Sequence, residues 1–69
     1  MPNPCHAFGA RVREIRAQRG LSQEELADLA GMDRSYVGGV ERGERNVSLV
    51  NICRLAGALG VSPAKLMDF

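Results

Sequence analysis

Helix punctuation constrains this chain more than any other feature of its sequence. Ser22, Ser48 and Ser62 each stand just ahead of a helical apolar pattern, and Gly20, Gly31 and Gly60 each close one. A serine there accepts from the free amides of the first turn, and glycine ends a helix because it takes the left-handed conformation without strain. The spacing predicts helices over about 7–19, 23–30, 34–42, 49–59 and 63–68. Phe8, Val12 and Ile15 form the inward stripe of the first. Ser22 and Glu25 make a capping box, while Glu24, Glu25 and Asp28 suit the positive end of the second helix. Asp33 caps the third. The fourth turns Leu49, Ile52, Leu55, Ala56 and Leu59 inward, and Pro63 takes the first position of the fifth. No window alternates with period two for long, so the expected fold is all-α, a single domain over 1–69.

Composition narrows the function. Apolar residues are 45% of the 69, enough for a small core. Aromatics are 4% with no Trp, which argues against a platform for stacking single-stranded bases. The apolar runs fall far short of the ~20 residues that cross a bilayer, so no membrane partner is expected. The sole histidine, His6, has no paired carboxylate or nucleophile at a useful spacing, so no catalytic residue and no enzyme is expected. Cys5, His6 and Cys53 do not supply the four spaced ligands of structural zinc; neither metal nor cofactor is expected. Met1-Pro2-Asn3-Pro4 lacks a basic–apolar signal pattern. Both cysteines are read as reduced thiols of a cytoplasmic protein, with Cys53 a small core residue.

Nine basic and eight acidic residues nearly cancel, but they are segregated. Residues 1–21 hold Arg11, Arg13, Arg16 and Arg19 against Glu14; residues 22–33 hold Glu24, Glu25, Asp28 and Asp33 with no base. Residues 34–54 return to excess base with Arg34, Arg42, Arg45 and Arg54. Arginine suits two-point contacts with phosphate and guanine. A surface laced with ion pairs fits the same counts.

The second and third helices with their turn span twenty residues, Gln23 to Arg42. Ala27 is small where the two helices would cross, and Gly31 allows the positive φ of a tight turn. Val37 and Val40, three apart, would lock one helix onto the other. That spacing fits a DNA-binding helix-turn-helix and also a plain αα-corner.

The run Gly20-Leu21-Ser22-Gln23-Glu24-Glu25-Leu26-Ala27, with Val40-Glu41-Arg42-Gly43, resembles the Cro and repressor type of helix-turn-helix, the xenobiotic-response-element family. Asp33-Arg34-Ser35-Tyr36-Val37 and Glu41-Arg42-Gly43-Glu44-Arg45-Asn46 are most similar to the controller proteins of restriction–modification systems. The resemblance covers about residues 7–66. It implies a dimeric transcription regulator, activator or repressor of its own operon, on a pseudo-palindrome in double-stranded DNA. Gln23 would sit near a phosphate, and Arg34, Ser35 and Tyr36 would enter the major groove on the recognition helix, Arg34 toward guanine. Arg42, Arg45, Asn46 and Ser48 would hold backbone phosphates. Arg16 and Glu41 would form a structural ion pair.

The chain departs from the family at Gly38 and Gly39, where relatives carry base-reading side chains. Either the Gly39 backbone approaches DNA closely or readout is thin and leans on DNA shape; the second is expected. Val50, Arg54, Ala64, Lys65, Met67 and Phe69 are the expected dimer interface, because Met67 and Phe69 would otherwise leave apolar surface uncovered. In phage repressors of the family the acidic face of the second helix touches RNA polymerase, and the resemblance implies this for Glu24 and Asp28. Capping and solubility explain the same acids. The alternative reading is an antitoxin or adaptor acting through protein contacts, although 69 residues leave no room for the usual toxin-binding segment.

Overall fold

The computed structural model describes residues 3–69; Met1 and Pro2, half of the start read as carrying no signal pattern, lie outside the described residues. Five helices follow one another: α1 Pro4–Gln18, α2 Gln23–Ala30, α3 Arg34–Glu41, α4 Leu49–Leu59 and α5 Pro63–Leu66. Among the described residues there is no strand.

The caps are where local chemistry places them. Ser22 Oγ accepts from the Glu25 amide at 3.0 Å while Glu25 Oε1 accepts from the Ser22 amide at 2.9 Å. Ser48 and Ser62 accept likewise from the amides of Asn51 and Lys65. Gly31 closes α2 at φ +70°, a conformation that would strain any residue with a Cβ. Asp33 occupies the N-cap of α3, but its side chain makes no cap hydrogen bond.

Three boundaries differ from expectation. α1 begins at Pro4, a turn earlier than residue 7, because Asn3 Oδ1 accepts from the Cys5 amide and proline sits in the first turn, where its missing N–H costs nothing. α3 stops at Glu41, with Arg42 as its cap. α5 is one turn and stops at Leu66 instead of 68.

Phe8, Val12 and Ile15 of α1 bury against Leu26, Ala27 and Ala30 of α2, Val37 and Val40 of α3, Leu55, Ala56 and Leu59 of α4, and Leu66 of α5. Gly9 lets α1 and α3 touch: a Cβ there would overlap the Val40 carbonyl oxygen and stand 2.8 Å from that of Glu41. Two assigned core residues are not inside. Leu49 is 74% exposed because it opens α4 beyond the edge of the core, and Cys53 is exposed because it lies opposite Leu55 and well away from Leu59 on the helix.

Candidate nucleic-acid interface

α2, the turn Gly31–Asp33 and α3 fold as one unit. Ala27 is buried at the crossing, and Val37 and Val40 are buried beneath α3. With that face turned inward, the opposite face is free. Arg34 and Ser35 stand exposed on its first turn, and no carboxylate lies within 4 Å of Arg34 among the described residues.

A clamp fixes the angle of this unit against α1. Arg16 Nε donates to Glu41 Oε2 at 2.6 Å and Nη2 donates to Glu41 Oε1 at 3.0 Å. Its remaining nitrogen, Nη1, donates to the Leu21 carbonyl at 2.8 Å. The hydrogen bond to Glu41 pushes the Arg16 guanidinium further up from its already high pKa, so it stays charged. Gln23, read as a phosphate contact, donates from its side-chain amide to Glu41 Oε1 at 3.0 Å. Its own backbone amide, at the first position of α2, remains on the outer end of the helix.

Tyr36 is held from two sides. Its hydroxyl accepts from Asn51 Nδ2 of α4 at 3.1 Å, and the Arg45 guanidinium lies 5.6 Å from its ring centroid. Sequence reasoning missed Asn51; the only signal was a polar residue on the core-facing side of α4. The Tyr36 proton points to no protein acceptor among the hydrogen bonds of the described residues and can be donated outward.

Arg42, Arg45, Asn46 and Ser48 follow in and around the α3–α4 loop, and all four are exposed. Arg42 Nε donates to Glu44 Oε2 at 3.1 Å, which holds the Glu44 carboxyl below its usual range. Ser48 uses its oxygen as the α4 cap and keeps its proton for an outside acceptor. Both glycines of the Gly38–Gly39 pair are buried, Gly38 beneath Arg42 and Gly39 beneath Arg45. The side chains of Arg42 and Arg45 are long enough to fold back over the preceding turn, which sequence spacing alone does not reveal.

The remaining candidates lie elsewhere. Glu24 and Asp28 are exposed on α2. Val50 and Arg54 are exposed on α4, Ala64 and Lys65 on α5, and Met67 and Phe69 beyond it. Leu49, at the start of α4, is exposed as well. An apolar cleft of about 120 Å³ has Phe8, Ile52, Met67 and Phe69 in its lining, together with Arg45 and Asn46 of the α3–α4 loop. No helix is long and apolar enough to cross a membrane, and no cluster of three metal-ligating side chains occurs among the described residues.

Comparison with known proteins gives a consistent result. The family profile described as Helix-turn-helix matches residues 12–66. Control protein C.BamHI of Bacillus amyloliquefaciens is 49% identical over 63 residues, covering 90% of this chain and 78% of that protein. Control protein C.SmaI of Serratia marcescens is 50% identical over 56 residues, covering 81% and 67%. The crystal structure of the restriction-modification controller protein C.AhdI from Aeromonas hydrophila superposes with a TM-score of 0.89 at 64% identity, over 90% of this chain and 94% of that one.

Proposed function

We infer the function from one premise: this chain belongs to the helix-turn-helix family. It is a DNA-binding transcription regulator. The observation that carries the reading is the exposed first turn of α3, where Arg34 and Ser35 project from a helix whose Val37 and Val40 are locked inside. That turn is the part of a recognition helix that meets base edges in the major groove.

Arg34 takes guanine through its two-point fork, and Ser35 a base or a phosphate. The Gln23 backbone amide, the Tyr36 hydroxyl, Arg42, Arg45, Asn46 and Ser48 hold the backbone on either side of the groove. One recognition helix is too little for a genomic site, so two copies bind a pseudo-palindrome whose half-sites lie one turn, ~10 bp, apart. Their interface is the apolar surface of Leu49, Val50, Met67 and Phe69, flanked by Arg54, Ala64 and Lys65. The names of its relatives support control of a restriction–modification system; control of its own gene, in the cytoplasm, completes the reading. Glu24 and Asp28, turned away from the duplex, offer RNA polymerase an acidic contact.

A gel shift on the DNA upstream of its own gene tests the core of this. Arg34→Ala is expected to cost about tenfold or more in operator affinity and little on unrelated duplex. Equal binding by parent and variant would overturn the assignment. Glu24→Gln with Asp28→Asn should leave the gel shift intact and remove transcriptional activation; unchanged transcription removes the polymerase contact.

A further inference from the structure

The glycine pair of α3 is the part of this surface that the family reading does not explain. Arg34, Ser35, Gly38, Gly39 and Arg42 recur at three- and four-residue spacing, on the face opposite buried Val37 and Val40. Two glycines weaken so short a helix, and at the middle of a reading face they supply no side chain. Yet neither lies open. A Cβ at Gly38 would stand 2.9 Å from Arg42 Nη1, and one at Gly39 would stand 3.1 Å from Arg45 Nε and 3.2 Å from its Cγ.

We propose that Gly38 and Gly39 form a notch in the recognition helix that the Arg42 and Arg45 side chains fill, so that arginines rooted at and beyond the end of α3 read guanine in the groove. The inference rests on the DNA-binding reading above, but moves Arg42 and Arg45 from the backbone contacts given them there to direct readout of bases, in place of thin, shape-led readout.

Place favours it, because the notch is at the centre of the face, whereas phosphates flank the groove. Chemistry favours it, because a guanidinium fork matches the O6 and N7 acceptors of guanine. Freedom of movement completes the case. Arg42 is held only by Glu44, with side chains 60% and 59% exposed, and such pairs are weak in water. Arg45 has no carboxylate within 4 Å among the described residues and rests on the Tyr36 ring, itself fixed by Asn51. Both guanidinium groups are therefore aimed by the seats they rest on, which lowers the ordering cost of meeting a base, and neither has a strong partner to give up.

The test is selection of duplexes from a random pool by the full chain and by Arg42→Lys, Arg45→Lys and Gly39→Ala. Lysine keeps the charge for a phosphate and lacks the fork. Each lysine variant is expected to lose about tenfold or more of guanine preference at a position in each half-site, with unselected-DNA affinity and its salt slope unchanged. Gly39→Ala, which displaces Arg45, should lose the same guanine as Arg45→Lys without a lower melting temperature. A loss in either lysine variant upholds the notch. Unchanged base profiles in both overturn it; Arg42→Ala and Arg45→Ala should then lower affinity uniformly and the salt slope by about one, as phosphate clamps do. A parent chain that selects no sequence would instead remove the DNA-binding reading, and this inference with it.

Discussion

Arg16 and Glu41 meet in a two-point ion pair that ties the last turn of α1 to the end of α3, with the Glu41 side chain only 3% exposed. Gln23 bonds the same carboxylate, so one side chain sets the relative angle of α1, α2 and α3. Removing it strands the Arg16 charge against apolar neighbours. Glu41→Ala should cost about 3 kcal/mol, the lower end for a broken buried pair because Arg16 retains some water. Thermal unfolding checks this: the melting temperature should fall by more than about 10 °C. A variant that melts like the parent and loses only operator affinity would make Glu41 a DNA-site residue instead. Replacing both partners with apolar residues of similar volume should recover much of the loss.

Gly9 and Gly57 separate two uses of a helical glycine. At Gly9 an added methyl collides with the Val40 and Glu41 carbonyls, backbone atoms that can move only by parting α1 from α3. Gly9→Ala should therefore destabilise by about 3 kcal/mol, the upper end for overpacking. At Gly57 nothing lies within 4 Å, and alanine should stabilise by up to about 1 kcal/mol through helix propensity. Denaturant midpoints of the two variants should shift in opposite directions; shifts of the same sign would refute the close crossing.

What could be read from the sequence follows the range of the interactions. Ser22, Ser48 and Gly31 act within four residues, and their helix ends fall where predicted. The start of α1 was equally local, but Pro4 reads as a breaker unless Asn3 is recognised as the cap before it. Leu49 fits the inward period of α4 and still lies outside, because a helix can outrun the core it packs on. Cys53 is different: the period alone, with Ile52, Leu55, Ala56 and Leu59 inward, already puts it outward. Arg16 with Glu41 came through the family resemblance, while Gly38 under Arg42 and Gly39 under Arg45 depend on side-chain paths that no motif encodes.

Acid should loosen α2 and the α3–α4 loop together. The Ser22 amide and hydroxyl hold the Glu25 carboxyl below its usual range, and Arg42 does the same for Glu44. A group whose folded pKa is lowered adds stability above its unfolded pKa and loses it as pH falls through the folded one. Melting temperature should thus be flat near neutrality and decline on acidification through the ordinary glutamate range and below. Glu25→Gln keeps a capping side chain that does not titrate, so it should melt near the parent at neutral pH and show a shallower decline. An identical pH profile for that variant would mean the cap adds nothing to the acid response.

The exposed stripe on α4 gives the sharpest test of self-association. Leu49 and Val50, 74% and 63% exposed, stand one turn before Cys53, which is also exposed, and Gly57 follows one turn later. Four small or apolar positions in register on one outward face leave α4 free to lie against its symmetry mate. Leu49→Glu removes nothing from the core, so helicity should be retained while sedimentation moves from dimer to monomer. Operator affinity should fall with it, since each copy then binds a half-site alone. Cys53 supplies an internal reporter: if α4 faces α4 across the two-fold axis, mild thiol oxidation of the parent should give a disulfide-linked dimer that Leu49→Glu forms poorly. A chain that is monomeric at micromolar concentration would remove the self-association, and a Leu49→Glu variant that stays dimeric would move the interface away from α4.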